Sequence, residues 1–195
     1  MFVKICGITD ADAVRAAAAA GADALGFVFA PSPRAVAPEK AAELATLAPP
    51  TIVRVAVFRH PSRAWFERVV GIFAPDWVQT DAEDLPNLRL PKGAVALPVW
   101  RNGSVAHGTA RAPRVLFEGA RSGTGTTADW DEARALATAT ELVLAGGLSA
   151  ANLAAAVRHV RPWGVDVSSG VEHAPGRKDP GKISEFVARV RALET

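Results

Sequence analysis

The 195-residue chain has a single cysteine, Cys6, so no disulfide can form within it. That fits a reducing compartment. Long apolar runs are also missing. No charge-free stretch approaches the roughly 20 residues that span a bilayer, and the apolar start at residues 1–5 is too short for a signal peptide. The expectation is a cytoplasmic protein without a membrane partner. Clustered basic charge is absent too. Lys and Arg outnumber Asp and Glu by only 22 to 20, for a net charge of +2. They are scattered, with no Lys/Arg run interleaved with aromatics, which argues against a nucleic-acid partner. A small positive excess does suit an anionic, phosphorylated ligand. The histidines, His60, His107, His159 and His173, form no metal-ligand spacing with one another or with Cys6, so no metal is expected. There is also no linker, low-complexity tract or composition break, and one domain over residues 1–195 is expected.

What the chain does contain is alternation. Nearly half of it is apolar, grouped into short strand-length runs separated by helix-period stretches. Strands are expected over 2–6, 24–29, 52–58, 77–80, 94–99, 114–117, 141–145 and 164–167. Helices are expected over 10–20, 38–47, 63–70, 149–160 and 180–193. Thr9 or Asp10 suits the first N-cap and Gly21 its end, while Asp179-Pro180 starts the last helix. Near-continuous apolar strands imply a parallel sheet buried on both faces, and eight such units close most simply into a (β/α)8 barrel. The chain is short for that fold, so its connections must be trimmed. Residues 100–113, between strands five and six, are rich in Gly and Ala without apolar period and read as a loop; residues 81–90 offer at most a short helix.

In such barrels chemistry sits at the C-terminal ends of the strands. Gly146-Gly147 follows strand seven and Ser168-Ser169-Gly170 follows strand eight. Loops at these two places often bind phosphate, glycine letting backbone N–H groups approach and serine adding donors. A glycine pair on its own equally marks a tight turn. Cys6 closes strand one. It is either a buried small hydrophobe or, with its pKa drawn toward neutrality, a general base. Glu118 follows strand six and reads as a loop carboxylate or a general acid. Arg34, after strand two, is a solvated cation or a carboxylate binder. Asp166 lies inside strand eight, where an acid needs a partner or a task. Gln79 and Asp81 end strand four, with Asp81 the weaker signal.

Several of these residues stand in recognisable motifs. Lys4-Ile5-Cys6-Gly7-Ile8-Thr9, residues 21–29 (GADALGFVF), Ser32-Pro33-Arg34, Leu144-Ala145-Gly146-Gly147-Leu148, residues 164–172 (GVDVSSGVE) and Gly176-Arg177-Lys178-Asp179-Pro180 together resemble the phosphoribosylanthranilate isomerase family of tryptophan biosynthesis. The resemblance runs the whole length and is strongest near both ends. It implies a cofactor-free Amadori rearrangement of a small phosphosugar substrate, N-(5'-phosphoribosyl)anthranilate, to 1-(2-carboxyphenylamino)-1-deoxyribulose 5-phosphate. It implies Cys6 as the base that removes the C2′ proton and a strand-six carboxyl as the acid that opens the ribose ring. It further implies Arg34 on the anthranilate carboxylate, Asp166 near the substrate amino group, Gln79 at the substrate, and Gly146, Gly147, Ser168, Ser169 and Gly170 around the phosphate. The protein is expected to act as a monomer or homodimer.

Three positions depart from the family pattern. Glu118 stands where the family usually has Asp, and its carboxyl reaches one bond length farther, roughly 1.5 Å; a misplacement on the order of 1 Å can cost about 100-fold in rate. Residues 122–125 read Ser-Gly-Thr-Gly in place of Gly-Gly-Thr-Gly, with Thr126 in place of a common lysine. Gln79-Thr80-Asp81-Ala82 replaces Gln-Leu-His-Gly. Two other readings share the phosphate loops: a histidine-pathway phosphosugar isomerase, which would use paired aspartates, and a non-catalytic barrel that binds a phosphoribosyl ligand.

Overall fold

A computed structural model describes residues 1–103, 113–119 and 128–193. Eight parallel strands close into a barrel in chain order: β1 (Phe2–Cys6), β2 (Ala24–Val28), β3 (Val53–Val57), β4 (Trp77–Asp81), β5 (Val95–Arg101), β6 (Arg114–Glu118), β7 (Glu141–Leu144) and β8 (Gly164–Val167). β8 pairs back onto β1, setting Lys4 opposite Asp166. The helices are α1 (Ala11–Ala20), α2 (Pro38–Ala45), α3 (Arg63–Phe73), α4 (Trp130–Ala137), α5 (Leu153–Val160) and α6 (Pro180–Ala192). No described helix is long and apolar enough to cross a membrane.

Local chemistry explains the boundaries. The Asp10 side chain accepts a hydrogen bond from the Ala13 N–H and caps α1, and Gly21 closes it in the left-handed conformation. Asp179 caps α6 in the same way, with Pro180 in its first turn. The expected helix over 149–160 begins only at Leu153. The preceding residues form a turn in which Asn152 accepts from the Ser149 N–H at 2.9 Å and donates to the Gly147 carbonyl at 2.8 Å. Sequence reading did not anticipate α4, nor a hairpin of β9 (Glu172–Ala174) and β10 (Arg177–Lys178) after β8. The β4–β5 connection carries one turn of 3-10 helix, Leu85–Asn87. The middle of the β5–β6 connection lies outside the described residues, as do His107 and the 122–126 motif.

Burial on both faces follows from two apolar layers. Val55, Leu97, Val99, Leu116 and Val143 fill the barrel. Ile5, Phe27 and Phe117 face outward onto the helices, among Val14, Phe66 and Phe186. The N-terminal end is closed by aromatic rings. Phe2 stacks on Trp77 at 5.2 Å and on Trp163 at 4.8 Å. The Arg114 guanidinium lies over both tryptophans, 4.7 and 3.9 Å from their centroids, and pairs with Glu141. With this end plugged, the C-terminal mouth is left for ligands. Arg114→Ala is expected to lower stability by about 2 kcal/mol through loss of both cation–π contacts, and Arg114→Lys by less. Thermal unfolding checks this, and equal midpoints for wild type and Arg114→Ala would contradict it.

Candidate active site

Seven of the strands and the loop after β7 deliver residues to one cavity of about 430 Å³ at the C-terminal mouth. Its lining includes Cys6 from β1, Arg34 from the loop after β2, Gln79 from β4, Arg101 from β5, Glu118 from β6 and Asp166 from β8. Gly146, Gly147, Ser168 and Ser169 line it from the last two loops. Gly146 and Gly147 both have positive φ, 80° and 66°, which turns the backbone sharply after β7. Gly170 differs from expectation. It is absent from the lining, and a Cβ there would lie 2.0 Å from the Leu148 carbonyl oxygen. The missing side chain lets the loops after β7 and β8 touch.

Beneath the mouth lies a floor of buried charge. Lys4, wholly inaccessible to solvent, donates to Asp166 at 2.7 Å. Arg34 donates through Nε and Nη2 to the two oxygens of Glu172, at 2.7 and 2.8 Å. The fork expected to take a substrate carboxylate is therefore engaged within the protein. Lys178 donates to the same Glu172 oxygen as Arg34 Nε, at 2.8 Å, and to the Ser168 carbonyl at 3.0 Å. Burial works against the Glu172 carboxylate, but Arg34 and Lys178 hold its pKa below the ordinary range. Burial also pulls Lys178 below the usual lysine value despite Glu172. For Lys4, burial is outweighed by Asp166 and Cys6, and the pKa is raised.

Burial likewise pushes the Cys6 thiol up. Lys4 and Lys178 oppose the rise and Asp166 adds to it. The sequence left Cys6 either a buried small hydrophobe or a base with its pKa drawn toward neutrality; in the free protein desolvation wins. Gln79 is buried, and its Oε1 has no hydrogen-bond partner among the described residues. A buried acceptor in that condition favours a donor on a ligand.

The far rim holds a second chain of charges. Arg101 donates to Glu118 through Nη2 at 2.9 Å and pairs through Nη1 with Asp81. Asp81 is not in the cavity lining; it lies behind it, fixing Arg101. His60 Nε2 stands 3.3 Å from Asp81 and Nδ1 3.0 Å from Asp84. His60, Asp81 and Asp84 thus offer ligand atoms within 4.8 Å of one another. Arg101 already faces Asp81, however, and Asp84 accepts from Thr80 at 2.6 Å. The group is organised by ion pairs and hydrogen bonds.

A family profile described as N-(5'-phosphoribosyl)anthranilate (PRA) isomerase matches residues 3–189. The chain belongs to this family. A relative of that name from Pelobacter propionicus is 44% identical over 197 residues, covering 95% of this chain and 93% of its own. The crystal structure of phosphoribosyl anthranilate isomerase from Thermus thermophilus superposes with a TM-score of 0.86 at 33% identity, covering 99% of this chain and 100% of that one. A phosphoribosyl anthranilate isomerase in complex with reduced 1-(o-carboxyphenylamino)-1-deoxyribulose 5-phosphate superposes with a TM-score of 0.78 at 29% identity, with coverage of 99% and 100%.

Sequence reading of this isomerase-family chain missed Lys4, Arg101, Glu172 and Lys178 as parts of the site. Lys4 and Glu172 had one available signal, a charged residue inside or beside an apolar strand motif. Replacing Glu172 with Gln would leave two buried cations facing a neutral amide. Glu172→Gln is expected to cost about 3–5 kcal/mol of stability, measured by denaturant unfolding. A loss below about 1 kcal/mol would mean that the Arg34–Glu172–Lys178 cluster is not the structural tie described.

Proposed function

We propose that this chain catalyses the Amadori rearrangement of N-(5'-phosphoribosyl)anthranilate to 1-(2-carboxyphenylamino)-1-deoxyribulose 5-phosphate in tryptophan biosynthesis, as a cofactor-free isomerase. The observation that carries the reading is that Cys6 from β1 and Glu118 from β6 line one cavity with the glycine and serine loops after β7 and β8. In this reading Cys6 is the general base for the C2′ proton and Glu118 the general acid that protonates the ring oxygen. Gly146, Gly147, Ser168 and Ser169 take the phosphate, while Gln79 and Asp166 meet the polar groups of the sugar and amine. Arg34 meets the anthranilate carboxylate through Nη1, its other two donor nitrogens being held by Glu172. A substrate with its own anionic groups offers Arg101 a replacement partner, which frees Glu118 to take up the proton it must deliver.

The proposal covers residues 1–195 as one barrel domain that acts alone or as a homodimer in the reducing cytoplasm, a setting supported by the single thiol. A histidine-pathway isomerase would call for paired aspartates at the mouth, and Cys6 occupies the first of those positions.

Loss of phosphoribosylanthranilate fluorescence provides the assay. Wild type is expected to turn over, and Cys6→Ala and Glu118→Gln each to fall by about 10²–10⁴-fold, the usual worth of a positioned acid or base. Absence of wild-type turnover, with ligand still bound, would instead favour a binding-only barrel. The base acts only when deprotonated, and burial raises its thiol pKa. In Glu118→Gln, where the acid no longer titrates, the residual kcat/KM should therefore still be climbing as pH passes the ordinary thiol value of about 8.5. A flat profile from neutral pH upward would contradict Cys6 as the base.

A further inference from the structure

Lys4 has no surface role open to it. Its side chain is inaccessible to solvent, and an ammonium taken out of water costs several kcal/mol unless it is well paired. Lys4 and Cys6 are two residues apart on β1, so both point to the same face of the strand. On that face Asp166 is the partner of Lys4 across β8, and Gly26 is the partner of Cys6 across β2. Gly26 shows how tightly the two are held. A Cβ there would lie 3.0 Å from the Cys6 sulfur and 3.1 Å from both Cε and Nζ of Lys4. The missing side chain makes room for an ammonium and a sulfur side by side, and the 2.7 Å bond to Asp166 stops the ammonium from swinging away.

We propose that Lys4 is a positioning residue for proton transfer, its buried ammonium serving as the fixed counter-ion of the Cys6 thiolate. The inference deepens the reading of Cys6 as base and rests on it. In the step concerned the C2′–H bond breaks, its proton passes to sulfur, and the electron pair stays on the substrate; Lys4 keeps its proton throughout. The charged groups facing Cys6 are Lys4 on β1, Asp166 on β8, Lys178 on β10 and Arg34 after β2. Of these, Lys178 and Arg34 are tied to Glu172 and Lys4 to Asp166, but it is Lys4 that shares the strand with the sulfur and lies beside it against Gly26. Lys4 also opposes the effect of burial on the thiol, ahead of Lys178.

Because Cys6 is the chain's sole cysteine, alkylation by iodoacetamide reports this thiol alone. At a fixed pH near 8 the rate follows the thiolate fraction. Neutral Lys4→Gln and Lys4→Met are expected to alkylate at least tenfold more slowly than wild type, and Lys4→Arg at close to the wild-type rate. kcat should fall in the neutral variants with KM within about twofold, and recover in Lys4→Arg. An unfolded variant would expose the thiol and alkylate faster, so slowing cannot come from loss of structure. Wild-type alkylation in either neutral variant, with its unfolding transition retained, would overturn the proposal. If instead Cys6→Ala kept full turnover, the base reading would fall while the alkylation result still judged the Lys4–Cys6 pairing.

Discussion

The site depends on a charge balance that the barrel can sustain only in its floor. Lys4, Arg34 and Lys178 bring three cations beneath the mouth, and Asp166 and Glu172 answer with two carboxylates. Interactions at this depth act in low dielectric, where an unmatched charge is costly. The surplus cation faces the place where a thiolate would form and an anionic substrate would enter. The floor is therefore poised for one added negative charge close to Cys6. Closing the barrel through the β1–β8 pairing is what brings Lys4 to Asp166, so fold and electrostatics are set by the same contact.

The rim solves a different problem. Two departures from the family's motifs, Glu118 and Asp81, belong to one physical unit, because Arg101 bridges them. A glutamate has one more rotatable bond than an aspartate and needs an anchor to hold its carboxyl in place. Arg101 supplies it, and Asp81, behind the cavity wall, fixes Arg101. The extra bond length flagged from sequence is thus accompanied by an ion pair that sequence spacing did not reveal.

Much of the fold was legible because barrel strands are buried on both faces. Residues 2–6 and 164–167 were read to the residue, and β4, β5 and β6 run only one or two residues past their expected ends. Those extra residues, Asp81, Arg101 and Glu118, are polar, and a hydrophobic reading stops short of them. The hairpin at 172–178 escaped because strands of three and two residues carry no period. Cys6, Glu118, Arg34, Gln79 and Asp166 were brought to one cavity as strand-end logic required. Gly170 lies outside the cavity lining and packs against Leu148, a close approach that sequence alone does not reveal. Two ion pairs of the floor, Arg34–Glu172 and Lys4–Asp166, join residues 138 and 162 positions apart, a separation that no local pattern encodes.

The most direct measurement is a crystal structure of this protein with reduced 1-(o-carboxyphenylamino)-1-deoxyribulose 5-phosphate. The account predicts the phosphate against the backbone of Gly146, Gly147 and Ser169, with C2′ about 3–3.5 Å from the Cys6 sulfur and the Glu118 carboxyl released from Arg101 toward the sugar. A ligand bound with C2′ turned away from Cys6, or with its phosphate outside the loops after β7 and β8, would contradict it.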